Sequence, residues 1–255
     1  MPLHEEKLTV IIPNYNYGKW IESAIDSVFD NYIEGISVCF IDDGSKDGSS
    51  SILFNLMNNK KELIKNNIPA INGTYKNTNM LINLIAKNES SGPSTARNIG
   101  IKYSFEETKY FMFLDSDDFY LKNKISKSLD IIKKYEPYIG CVYTDYINVS
   151  IHDDTECYIN KEPFSKKRLL EECIIPCNGL VPKYVFEKIG FFDETMRVAE
   201  DYDFWIRMSK YFIGYHIAEP LSKIRVGKYN STHSVSHQVW AKNWIRIREK
   251  HEEEF

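Results

Sequence analysis

Three short apolar runs, each ending in a polar knot, constrain this chain most. KLTVII (residues 7–12) runs into PNYN, ISVCFI (36–41) into DDGSKDGS, and the run at 109–114 into DSDD. Apolar runs of this length, bounded by Gly, Pro, Asn and Asp, read as buried strands, with Pro13 expected to end the first. Between them the period changes. Residues 18–30 place Trp20, Ile21, Ala24, Ile25 and Val28 on one helical face, and helices are predicted over 50–57, from near Ser94, and over 122–135. MLINLIA (80–86) and residues 140–147 supply two more strands. The alternation predicts an α/β fold, a mainly parallel central sheet flanked by helices. Ligands of such sheets collect at the carboxyl ends of the strands, where PNYN, DDGS and DSDD would converge.

The rest of the chain is less regular. Residues 58–79, 150–165 and 227–237 read as loops. Short helices are expected within 168–177 and 182–189, an amphipathic helix over 200–211, a strand-like stretch over 213–226 and a charged helix from Val239. The KHEEEF end reads as a solvated charge run.

Net charge is −4, which gives no broad attraction for nucleic acid. No apolar run approaches the roughly 20 residues that span a bilayer. The N-terminus shows no secretory-signal pattern, so the expected location is cytoplasmic, with any contact at the inner face of a membrane peripheral. The five cysteines include CIIPC (173–177) but repeat no metal-ligand spacing, and they read as buried free thiols.

The polar knots carry the chemistry. Asp115, Asp117 and Asp118 repel one another when ionised. A divalent cation holding a phosphate would relieve the crowding; an ordinary acidic turn is the plainer alternative. Ser94 and Thr95 suit a helix N-cap. Arg97 falls in the first turn of that helix, where a cation opposes the dipole, so a carboxylate or ligand partner is expected. Glu200, Asp201 and Asp203 open the 200–211 helix, where acidic groups suit the dipole.

Taken in order, VIIPNYN, IDDGS-x-DGS, G-x-S-x-ARN-x-G, FLDSDD, GFFDE and EDYDFWIR resemble the family 2 glycosyltransferases, over roughly residues 7–226. The resemblance implies the GT-A fold, as one catalytic domain over 1–255: a nucleotide-binding half to about residue 120, an acceptor half over about 121–230 and a C-terminal helix from about 236. It implies an inverting, metal-dependent transfer of a sugar from a nucleotide-diphosphate donor, UDP being the common choice, to a glycan, lipid-linked or protein-linked hydroxyl. It assigns Pro13, Tyr15, Asp43, Arg97 and Asp115 to the nucleotide, Asp117 to Mn2+ or Mg2+, and Asp201 to the general base. Glu200, Asp203, Asn178 and Trp205 fall on the acceptor side, with Gly179 and Phe192 candidates by position; core packing is the plainer reading of Phe192 and Trp205.

One position departs from the pattern. Many relatives carry a histidine two residues after an arginine in the last strand region. Arg225 fits, but the histidine position is Gly227, leaving His233 or His237 as substitutes. Two other functions compete: a sugar nucleotidyltransferase, against which stands the lack of a Gly-rich phosphate loop, and a nucleotide-sugar-binding scaffold with a degenerate site.

Overall fold

The computed structural model describes residues 7–196, 198–227 and 236–254. The first half runs β1 (Leu8–Asn14), α1 (Ile21–Phe29), β2 (Ile36–Asp42), α2 (Ser49–Leu56), β3 (Met57–Lys65), β4 (Ile68–Tyr75), β5 (Leu81–Ala86), α3 (Pro93–Ser104), β6 (Tyr110–Phe113) and β7 (Phe119–Tyr120). The second runs α4 (Lys124–Tyr135), β8 (Ile139–Ser150), β9 (Glu156–Ile159), α5 (Lys166–Glu171), β10 (Leu180–Pro182), α6 (Lys183–Ile189), α7 (Glu200–Ser209), β11 (Ile213–Val226) and α8 (His237–Lys250).

These strands form one mixed sheet in the order β3-β4-β5-β2-β1-β6-β10-β8-β11-β7, with β9 on β8. Its centre, β5-β2-β1-β6, is parallel as expected. Beyond β6 the short strand β10 runs antiparallel, and β8 and β11 pair parallel to each other. Side chains of β1 alternate between two cores. Leu8, Val10 and Ile12 pack with α1 and α4; Ile11 packs with α3, α6 and α7 on the other face. Burial on both faces is why this strand reads as a continuous apolar run. The helix α3 lies so close to the sheet that a Cβ at Gly100 would stand 2.6 Å from the Ile41 side chain.

Pro13 does not end β1; it pairs with Ile41 inside the strand. The carbonyl of Ile11 accepts from Leu114, on the β6 side, and that of Asn14 from Asp43, on the β2 side. Two residues from Ile11, Pro13 faces the β6 side, where pairing has already stopped at Phe113. Its missing donor falls where no ladder needs one. Residues 58–79 are not a loop: β3 and β4 form an antiparallel hairpin, and β4 continues the sheet beyond β5. β9 lies within the expected 150–165 loop, and β7 and β10 were not expected at all. The terminal charge run is not wholly solvated either, because His251 is buried.

Candidate active site

The carboxyl ends of β1, β2 and β6 lie on one edge of the sheet, and their loops are knitted together. Asn14 donates to Asp42 and to Ser45, both at 3.1 Å, and Asp47 accepts from the Gly18 amide at 2.8 Å. Two aspartates of DDGSKDGS are thus structural. Asp43 turns the other way. Its carboxylate takes the Ser90 hydroxyl at 2.8 Å, the Ser91 and Gly92 amides at 2.9 Å, and Lys87. Burial works to raise its pKa, but these donors outweigh burial and hold it below the ordinary carboxylate range. Gly44, at φ +80°, lets the turn approach the Glu89 backbone, where a Cβ would come within 2.7 Å. Pro13 is buried within β1, and Tyr15 stands 48% exposed at the same edge.

The acidic turn after β6 meets the start of α7 through Arg97. This residue is 4% exposed, and its two terminal nitrogens donate to carboxylates from different motifs: Nη1 to Glu200 at 2.6 Å and Nη2 to Asp115 at 2.8 Å. The local misfit of an arginine early in α3 is resolved by these partners. Burial and the Asp115 carboxylate push Asp117 up to about 7, and burial with Asp117 and Asp115 raises Asp118 well above the ordinary carboxylate range. Burial, then Glu200, pushes the half-buried Asp201 up to about 7, with Arg97 acting in the opposite direction. Ala199, just before the helix, sits at φ +60°, a left-handed conformation that costs a residue with a Cβ about 1–2 kcal/mol. The other half of the ARN motif is architectural. Asn98 donates to the Phe192 carbonyl at 2.9 Å and accepts from the Phe192 amide at 3.0 Å, fixing GFFDE beneath α3.

The structure brings Arg97, Asp115, Asp117, Glu200 and Asp201 together and keeps others out. Asp203 is fully buried and turned to the C-terminal segment, bonded to Arg207 at 2.9 Å, Lys250 at 2.8 Å and His251 at 2.9 Å. Trp205 is fully buried against Phe204, and Phe192 stacks on Phe204 at 4.7 Å, so these aromatics are core, as their plainer reading had it. Neither Asp203 nor Trp205 offers a surface to an acceptor. Asn178 is buried and donates to Ser222 at 2.9 Å, while its Oδ1 has no hydrogen-bond partner among the described residues. Gly179 packs against the Val142 carbonyl. His233 lies outside the described residues.

The model of the family described as "Glycosyl transferase family 2" matches residues 9–190. The chain belongs to that family. Its sequence is 28% identical to an uncharacterized glycosyltransferase of Rickettsia prowazekii, over 93% of this chain and 69% of that protein. It is 27% identical to TuaG of Bacillus subtilis, a putative teichuronic acid biosynthesis glycosyltransferase, over 95% of this chain and 87% of that one. Three further rickettsial relatives are longer, and the chain spans only 30–32% of them. In fold it is similar to Staphylococcus aureus TarS in complex with UDP-GlcNAc, with a TM-score of 0.69 at 16% identity, over 94% of this chain and 64% of that one. It is also similar to the mannosyltransferase PcManGT from Pyrobaculum calidifontis in complex with GDP-Man and Mn2+, with a TM-score of 0.63 at 16% identity, over 96% and 66%.

Two residues near this site were missed by motif reading, Tyr17 and Cys177. The Tyr17 phenol is pushed up to about 12 by burial and by Asp117, Asp115 and Asp118, so it stands against the acidic turn. Burial raises the Cys177 thiol, which also feels Arg97, Asp201, Asp115 and Glu200. Arg225, which the motif pattern had singled out, grips the turn itself. Tyr17 lies just beyond PNYN and Cys177 just before Asn178, so proximity to a motif was the signal available for both.

Proposed function

We propose that this glycosyltransferase is an inverting, cation-dependent enzyme that moves a sugar from a nucleotide-diphosphate donor, a UDP-sugar by preference, to a hydroxyl of a surface-polysaccharide or lipid-linked acceptor. The observation that carries the reading is the Arg97 bridge, which couples an acidic turn suited to a diphosphate and its cation with Glu200, the chain neighbour of the Asp201 carboxylate suited to be a base. TarS with UDP-GlcNAc, and PcManGT with GDP-Man and Mn2+, support the donor class.

The donor set suits a hard cation. Asp117 is a buried carboxylate raised by burial and by Asp115, Asp118 one raised by burial and by Asp117 and Asp115, and a positive charge there would lower both again. Among the described residues no three candidate ligands cluster, so the cation would be held by Asp117 with Asp115 alongside and completed by the diphosphate, as Mg2+ and Mn2+ commonly are. Bound there, Mn2+ or Mg2+ supplies charge neutralisation at the leaving diphosphate. Tyr15 lines the nucleotide side, with the buried Pro13 and Asp43 shaping it from behind. Asp201 takes the proton of the acceptor hydroxyl as that oxygen bonds to the anomeric carbon and the bond to the diphosphate breaks. One displacement inverts the centre. Arg97 holds the two halves in register, and Glu200 and Asn178 stand on the acceptor side.

The test is slow hydrolysis of nucleotide sugars without acceptor, surveyed over UDP, GDP and CDP donors with Mn2+. Turnover of one nucleotide class, lost in Asp201→Asn with donor binding retained, is expected. Donor binding without turnover of any of the three would favour the scaffold reading.

A further inference from the structure

We propose that Arg225 is a positioning residue that holds the Asp115–Asp118 turn in the shape that receives the cation and diphosphate; this rests on the donor site proposed above. β11 delivers it. Ser222 and Lys223 pair with Tyr120 and Phe119, the residues straight after the turn, so two positions further on Arg225 lies beside the turn itself. Its main-chain amide donates to the Asp118 carboxylate at 2.8 Å. Its guanidinium donates through Nη1 to the Asp117 carbonyl at 2.5 Å and through Nη2 to the Ser23 hydroxyl of α1 at 3.3 Å. The central carbon of the same group lies 4.0 Å from the Trp20 ring centroid and 4.8 Å from that of Phe119. Arg225 thereby joins the last strand, the first helix and the acidic turn.

A reason for such a clamp follows from the turn. Within it the Asp118 amide donates to the Asp115 carbonyl at 2.9 Å, set against repulsion among three carboxylates. A planar, five-donor guanidinium can bond at its edge and stack on both faces at once; an ammonium cannot. Charge and shape make opposite predictions. A resident cation repels an arriving one, so if Arg225 mattered only as charge, its removal would strengthen cation binding. If it holds the turn, its removal weakens binding even when the charge is kept.

Arg225→Lys and Arg225→Gln separate these. In protein without ligand, both are expected to speed hydrogen exchange at the Ser116–Phe119 amides while β1 and β6 keep their protection. Both are also expected to weaken Mn2+-dependent UDP binding by about 10- to 100-fold, the usual loss for a residue that orients metal ligands. Unchanged exchange in both variants, or Arg225→Lys binding like wild type, or Arg225→Gln binding more tightly, would overturn the proposal. If wild type itself binds no UDP with Mn2+, the donor-site reading fails, while the exchange rates still decide whether Arg225 holds the turn.

Discussion

At Arg97 two carboxylates 85 positions apart in the chain meet on one side chain, and the chemistry depends on that residue's charge. Arg97→Met leaves Glu200 buried without its partner. It is expected to lower stability by roughly 3–5 kcal/mol, measured by urea unfolding, the range for a broken buried pair. Asp201 has a pH signature. Its folded-state pKa is raised, from 3.8 to about 7, so the folded protein holds this proton more tightly than the unfolded chain does. Stability from this group is present at acid pH and lost as pH rises towards about 7. Transfer, which needs the ionised base, runs the other way and rises through that window. Asp201→Asn is expected to slow transfer by about 10²–10⁴-fold and to remove the acid limb of the pH–rate profile. An unchanged limb in a slowed variant would assign it elsewhere. Arg97 was legible at this scale because its place in α3 is locally unfavourable, and a local misfit announces a distant partner. Asp203 was not. It shares the α7 start with Asp201, and what separates them is burial by His251, a contact across 48 positions that no motif encodes.

Among elements, the pair α7 and α8 repays the closest reading. Trp244 packs on Tyr202 with ring centroids at 4.8 Å, Ile247 is fully buried, and Lys250 and His251 close on Asp203. Lys250 also reaches Asp193, which with Thr195 beside it is held at about 2. α8 thus braces the helix that carries the proposed base. His251→Ala is expected to cost about 1–3 kcal/mol by thermal unfolding, because it leaves part of a buried carboxylate unsatisfied. It should lower kcat more than it raises the donor KM, since the donor turn belongs to other elements. Equal effects on both would place the brace elsewhere. The charged tail looked solvated because Lys, His and Glu are surface residues by default, and only the fold shows which of them turn inward.

At the scale of the whole molecule, the central strands were legible because burial on both faces leaves an uninterrupted apolar signature. The hairpin β3–β4 leaves none. β3 is an edge strand, largely exposed, and the stretch carries the Asn and Lys of an ordinary loop. The two-residue β7 and three-residue β10 are too short to show a period, yet β7 places Arg225 and β10 turns the sheet from parallel to antiparallel. The candidate site was legible as a set of motifs in order, and what the fold adds is their wiring: Asp43 into the 87–92 loop, Arg97 across two motifs, Arg225 onto the turn. The most direct measurement of the central claim is calorimetric titration of UDP into wild type and Asp117→Ala, with and without Mn2+. Binding that requires Mn2+ and vanishes in Asp117→Ala is the predicted result. Mn2+-independent binding, or binding that survives Asp117→Ala, would contradict the cation site on the acidic turn.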